Sequence, residues 1–272
     1  MDKIRINWHV AAICAIKITF REYSEYLQYF QEYRLAKSGY RIDLLMIRSA
    51  PDIKIPLSLA YIFRSHNLFE IKGIHSSITI HSYYKTIGYA ALLIAEDPRI
   101  PPCTRDEISL SFLCHHKPVK LLRYLTEECK KNIAKSSKGI YHISGDIFPA
   151  QIIIVPELSP EEALYLRCLT DRLDDARLAE QLADDYSRHQ GQQEYEEYMN
   201  QLVNANLSTK GDMLMCCEAI FRLYGTSSRE FYDKGFQDCA DKVRGIIAEK
   251  DAEIADKDAE IIRLKKLLLI PD

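Results

Sequence analysis

No apolar stretch in this chain is long enough to cross a bilayer. The run from Trp8 to Ile16 meets Lys17 after nine residues, and Ile87 to Ala95 is no longer. A charged start at Asp2, Lys3 and Arg5 is not followed by an apolar run with a small-residue cleavage site, so a secretory signal is not expected and a cytoplasmic protein is. Glycine is scarce, and the motifs G-x-G-x-x-G, G-x-x-x-x-G-K-[ST] and G-x-S-x-G are all missing, which removes nucleotide-driven motors and α/β-hydrolases. None of the eight cysteines (14, 103, 114, 129, 168, 216, 217 and 239) forms a C-x-x-C pair, and most lie inside apolar segments such as Ile13-Cys14-Ala15. They read as reduced core residues, not as a zinc site or a disulfide framework. With 47% hydrophobic and 28% charged residues the chain is neither disordered nor collagen-like, and its 272 residues can bury one or two cores.

Charge is present in both signs but unevenly. Residues 1–155 carry 21 Lys+Arg against 14 Asp+Glu, a net +7, whereas residues 156–272 carry 15 against 25, a net −10. A positive N-terminal half suits a phosphate backbone, because each neutralised phosphate releases a condensed counterion. Mutual attraction of the two halves, within one chain or between copies, accounts for the same split.

Trp8, Ala11, Ala12, Ala15, Ile16 and Thr19 recur at three- and four-residue steps, predicting a helix over 7–22. Strands are expected at Tyr26–Leu35 and Tyr40–Ile47, joined as a hairpin by Lys37-Ser38-Gly39, and at Asn67–Lys72 after a connection punctuated by Pro51 and Pro56. Helical period returns over Thr79–Ala95 and ends before Pro98. Short strands follow at Glu107–Leu113, Lys138–Ile143 and Gln151–Val155, with a helix from Pro118 to Glu127 between the first two. Beyond Pro156 the sequence turns helical and acidic, opening on Ser159-Pro160-Glu161-Glu162 as a cap.

Two acids stand out. Asp43 is embedded in Ile42-Asp43-Leu44-Leu45-Met46-Ile47, and Glu70 in Leu68-Phe69-Glu70-Ile71-Lys72. A carboxylate in an apolar strand costs several kcal/mol unless it is satisfied, and a hard divalent cation held by two carboxylates is one adequate partner. Glu70 and Lys72, two apart on a strand, share a face. An Asp on one strand with Glu-x-Lys on its neighbour suits metal-assisted phosphodiester hydrolysis, the acids holding the cation and the lysine orienting water or stabilising negative charge. The alternative on pattern alone is a buried Asp and a solvent-facing Glu-Lys pair.

The span from about Trp8 to Leu158 resembles the PD-(D/E)XK nuclease superfamily, specifically the bacterial PD-(D/E)XK nuclease family transposase group related to the recombination-promoting (Rpn) nucleases. The stretches that carry the resemblance are Glu32-Tyr33-Arg34-Leu35, Ile42-Asp43-Leu44-Leu45, Ile62-Phe63-Arg64-Ser65-His66-Asn67, Glu70-Ile71-Lys72, Tyr83-Tyr84-Lys85-Thr86-Ile87-Gly88-Tyr89-Ala90 and Phe148-Pro149-Ala150-Gln151-Ile152-Ile153. The resemblance implies an α/β fold with a restriction-endonuclease-like αβββαβ core, a mixed sheet flanked by helices, over residues 1–158. An acidic helical region (159–228) and a helical heptad tail (229–272) complete the chain. It implies Asp43, Glu70 and Lys72 as catalytic residues, Mg²⁺ (or Mn²⁺) at Asp43, Glu70 and the backbone carbonyl of Ile71, and DNA contacts from Tyr84, Lys85 and Tyr89. The function it implies is Mg-dependent DNA cleavage in the service of recombination or transposition of a mobile element. A catalytically degenerate nucleic-acid-binding or self-association protein is the alternative. The chain departs from relatives at Thr19, where they carry a glutamate, and at Gly73-Ile74-His75-Ser76-Ser77, where they carry a Ser-Pro-Asp-Asp-like loop.

Other clusters give less. In Cys114-His115-His116 neighbouring strand residues point to opposite faces, and no fourth ligand lies at a useful spacing. His75 and His81 read as surface residues, and Tyr23, Tyr26, Tyr29 and Tyr33 as packing residues. In the tail, K-D-A-E-I repeats at 250 and 257 place Ile247, Ile254, Ile261 and Leu268 seven apart, while Lys250 and Lys257 occupy the other seam position. That stripe is expected to pair with a second copy weakly. The expected outcome is a homodimer that loosens when residues 241–272 are deleted, checked by light scattering of full-length and truncated chains; an unchanged mass removes the tail from assembly.

Overall fold

The tyrosine-rich run and the segment after it are joined by a connection short enough to force a hairpin. They pair antiparallel as β1 (Leu27–Arg34) and β2 (Arg41–Arg48), with Leu27 opposite Arg48 and Arg34 opposite Arg41. The structure, a computed structural model, describes residues 7–35, 39–96, 103–207 and position 257. β3 (His66–Ile71) continues the antiparallel meander beside β2. The chain then crosses over through helix α2 (Ile80–Glu96), so that β4 (Ile108–Cys114) lies parallel to β3. β5 (Asn132–Ser137) and β6 (Ile140–Ser144) form a second hairpin, and β7 (Ala150–Ile154) runs parallel to β4. The result is a seven-stranded mixed sheet of order β1-β2-β3-β4-β7-β6-β5, flanked by helices. Strands β3, β4 and β7 are buried along their whole length, which is why they read as nearly continuous apolar runs.

Each face of the sheet has its own cover. α2 packs on β2, β3 and β4, and the Tyr83 ring stacks on Phe112 of β4 at 5.1 Å. On the opposite face Phe69 of β3 meets Phe63, which meets Phe20 at the end of helix α1 (Trp8–Thr19). α1 is apolar around almost its whole circumference, with Ala11 to Ile16 and Ile18 all buried. Such a helix must be enclosed. Its outer side is covered by α4 (Pro160–Arg167) and α6 (Gln193–Leu207), so these acidic helices belong to the same packed unit. α5 (Ala176–Ser187), capped by Asp175, packs on α4.

Buried polar groups on the α1 face are satisfied within it. The Asn67 side chain accepts from the Arg64 N–H (2.8 Å) and the Ser109 hydroxyl (2.6 Å), and donates to the carbonyls of Arg64 and Met46. Gln151 donates to the Leu59 carbonyl and the Ser111 hydroxyl. These bonds tie β2, β3, β4 and β7 together at one register.

Several local features depart from sequence expectation. The first helix stops at Thr19 and gives way to a 3₁₀ segment, Arg21–Tyr26. The expected helix at 118–127 divides into a short α3 (Val119–Arg123) and a π turn (Tyr124–Glu128). β5 was not foreseen: its largely exposed Asn-Ile-Ala-Lys-Ser-Ser sequence is that of a sheet edge. Lys138-Gly139 is the turn before β6 and not part of it. Among the described residues no helix is long and apolar enough to cross a membrane. The chain divides into two units, Met1–Ala219 and Ile220–Asp272. The heptad tail falls in the second and, apart from position 257, lies outside the described residues.

The turn at Gly139 has a measurable signature. Both Gly39 and Gly139 adopt positive φ (74° and 73°), but a Cβ on Gly39 would meet nothing, whereas one on Gly139 would lie 2.8 Å from the Ile154 carbonyl oxygen. Gly39→Ala is expected to cost about 1–2 kcal/mol from conformation alone. Gly139→Ala should cost a further ~1–3 kcal/mol, because backbone atoms must move. Urea unfolding of both variants checks the order.

Candidate functional site

Strand register brings the acids together. In the β1–β2 pair Gln31 lies opposite Leu44 and Tyr33 opposite Ile42, which sets Glu32 opposite Asp43; in the β2–β3 pair Leu44 lies opposite Phe69, and one step further Asp43 meets Glu70. Three acids thus stand in a row across three adjacent strands. Glu70 and Lys72 share the sheet face that α2 covers. α2 in turn presents Lys85, Thr86 and Tyr89 to that point, positions one and four apart on a helix and so on neighbouring flanks.

Glu70 is 2% exposed and heavily engaged. Its Oε1 lies 2.6 Å from Lys72 Nζ and 3.6 Å from Lys85 Nζ, and its Oε2 accepts from the Thr86 hydroxyl at 3.3 Å. Asp43 is less well provided: its Oδ2 accepts the Ile71 N–H at 2.7 Å, and its Oδ1 faces His9 Nδ1 at 3.8 Å. Burial and then the charge of Glu70 push the Asp43 carboxyl above its usual range, against the opposing pull of the Ile71 N–H, His9 and Lys72. Burial alone would lower the Lys85 ammonium, but Glu70, Tyr89 and Asp43 outweigh it and raise its pKa. Lys85 Nζ also sits 5.4 Å from the Tyr89 ring centroid.

Of the residues picked out in the sequence, Asp43, Glu70, Lys72, Lys85 and Tyr89 converge. Ile71 joins them through its backbone N–H. Tyr84 does not join: one position from Lys85 it is turned about 100° around the helix, and its hydroxyl lies 3.2 Å from that of Tyr124 and 3.7 Å from Cys129 Sγ. Thr19 is also elsewhere, its hydroxyl bonded to the Ala15 carbonyl, on the wall of a cavity of about 250 Å³ shared with Arg21, Tyr165 and Asp185. The contribution of α1 comes instead from His9 in its first turn. His9, Glu32 and Asp43 bring ligand atoms within 4.8 Å of one another, the only such set of three His, Cys, Asp or Glu among the described residues. Glu32, exposed, also pairs with Arg41 at 3.2 Å. The Cys114-His115-His116 run brings no third ligand group into such a set among the described residues; the two imidazoles meet edge to face at 5.3 Å. His75 is exposed and pairs with Asp171.

The donor set is one of hard oxygens in a partly dry setting, with the Asp43 carboxylate short of positive partners. This fits Mg²⁺ or Mn²⁺ better than a thiophilic ion. No family model matches the chain, and neither a curated protein nor a solved structure matches it.

The raised carboxyl at Asp43 makes a pH prediction with a definite sign. A group whose pKa is higher in the folded state binds protons more tightly there, so stability falls as pH rises from the unfolded value through the folded one. Asp43→Asn removes that loss. The variant is expected to be more stable than the parent at pH 7 in metal-free buffer, with the advantage shrinking as pH falls towards about 4. Denaturation midpoints across that range check it; a parent more stable at pH 7 would refute the assignment of strain to Asp43.

Proposed function

We propose that the chain is a metal-dependent phosphodiesterase of the PD-(D/E)XK type, an endonuclease acting on DNA, whose core is the α1-β1-β2-β3-α2-β4 portion of the fold. The observation that carries this reading is the meeting of Asp43 and Glu70 on adjacent strands with Lys72 against Glu70. Two acids buried side by side oppose folding, and an apolar pair would pack the same site at lower cost. Their presence is best explained by use.

Asp43 and Glu70 are the residues that would hold Mg²⁺, with Mn²⁺ as a substitute. Such an ion, when bound, polarises a phosphoryl oxygen and lowers the pKa of attached water. Lys72 holds and orients the attacking water through its ammonium and offsets negative charge as it develops on the phosphate. Thr86 steadies Glu70 from α2. Lys85, about a third exposed at its side chain, meets a backbone phosphate oxygen, with Tyr89 beneath it. Assembly through the heptad tail would pair two such sites, one for each strand of a duplex, in recombination or transposition of a mobile element.

A second reading is favoured by one feature: Glu70 already carries two ammonium partners, so that carboxylate is neutralised with no ion present. A binding module without chemistry would look the same there. Cleavage assays separate the two. Asp43→Ala and Glu70→Ala are each expected to abolish cleavage that requires Mg²⁺ and stops with chelator, in a domain that stays folded. Lys72→Ala should lower turnover by ~10² or more while leaving affinity nearly unchanged. Lys85→Ala should instead weaken binding and reduce its salt slope by about one phosphate's worth. Binding without cleavage in the parent protein would select the second reading; equal cleavage by parent and the Asp43 or Glu70 variants would remove the first.

A further inference from the structure

We infer that Tyr40 is a platform for an unpaired nucleobase, so that the substrate offers single-stranded or frayed nucleic acid at the Asp43–Glu70 site; this rests on the nuclease reading above. Tyr40 is 53% exposed, and its ring lies 5.6 Å from that of the buried Tyr89, tilted by 37°. Tyr89 is the ring beneath Lys85, and Lys85 reaches Glu70. Moving outward, the order is carboxylates, ammonium, buried ring, exposed ring. That order matches a nucleotide, with the reacting phosphate at the acids, a neighbouring phosphate at the lysine and a base at the outermost ring.

The alternative, that Tyr40 serves packing alone, is weakened by how little of it is packed. A side chain with more than half its surface in water gains little from burial. Its backbone is nevertheless fixed, since the Leu35 N–H donates to the Tyr40 carbonyl at 2.9 Å across the β1–β2 hairpin. A rigidly held aromatic with an exposed surface is what stacking requires. The two other tyrosines with large exposure differ in this respect. Tyr61, 77% exposed, stacks on His142 of β6, three strands away from β3. Tyr84 faces Tyr124. In a duplex both faces of a base are already stacked, so Tyr40 can engage only a base that is unpaired or has been extruded at a cost.

The test uses the full chain in chelator, which halts cleavage, with end-labelled single-stranded DNA, single-stranded RNA and duplex DNA, each also carrying a fluorescent adenine analogue that is quenched by stacking. Tyr40→Phe keeps the ring, whereas Tyr40→Leu keeps apolar cover over Tyr89 without an aromatic face. Tyr61→Leu is the control for an exposed ring elsewhere. Single-strand affinity is expected to fall about 5- to 100-fold in Tyr40→Leu and to stay within about twofold in Tyr40→Phe and Tyr61→Leu, with quenching lost only in Tyr40→Leu. Loss confined to the DNA or to the RNA strand supports the inference equally and identifies the sugar. If Tyr40→Leu binds and quenches like the parent, or loses no more than Tyr61→Leu, the inference falls while Mg²⁺-dependent cleavage by Asp43 and Glu70 stands. A parent protein that binds no nucleic acid overturns both.

Discussion

The Glu70 carboxylate, held in a strand with no exposed residue, constrains the architecture around it. An unsatisfied carboxylate there would cost several kcal/mol, so cationic and hydroxyl partners must come to it from elements that can reach the α2 face. β3 itself supplies Lys72 two residues on, and α2 supplies Lys85 and Thr86. α2 is thereby fixed in rotation as well as in position, since turning it would withdraw both groups. The crossover that α2 makes between parallel β3 and β4 and the electrostatic demand of Glu70 are met by one helix.

The opposite face of the same strands is governed by hydrogen bonds instead of charge. Asn67 and Gln151, both fully buried, bond to backbone carbonyls that only the correct register brings within reach. A one-residue slip would move Glu70 to that face and Asn67 to the other, leaving both without partners. Polar groups on the two faces therefore specify the same alignment, and the site inherits its precision from a network with no part in its chemistry. A second tie acts at the other end of α2: Tyr83 donates to Asp146, which Lys131 holds at 3.0 Å, joining the helix to the far hairpin.

How much of this was legible follows from which period carries the signal. Asp43 and Glu70-x-Lys72 could be found because an acid interrupts an apolar strand and a two-residue step fixes a shared face. Lys85 and Tyr89 follow from helical spacing, and the same periodicity misled at Tyr84, where one residue of phase separates the site from the Tyr124 side. His9 and Glu32 were not legible. Their approach to Asp43 depends on cross-strand register and on where the first helix begins, neither of which leaves a mark in local sequence. The α/β class, with a mixed sheet between helices, could be read from alternating periods, but edge strand β5 could not, since a polar solvent-facing strand resembles a loop.

The placement of α1 bears on how the chain is made. This helix is among the first segments to leave the ribosome, and it is apolar on nearly every side. Its cover arrives last: α6 ends at Leu207, and the Asn7 N–H finds its partner in Gln201. At ~5–20 residues per second, roughly ten to forty seconds separate the synthesis of the helix from that of its enclosure. Throughout that interval the nascent chain carries a sticky segment with no native shelter. Folding of the whole first unit is consequently post-translational in its final step, and the early chain is a natural client for a chaperone stationed at the exit tunnel.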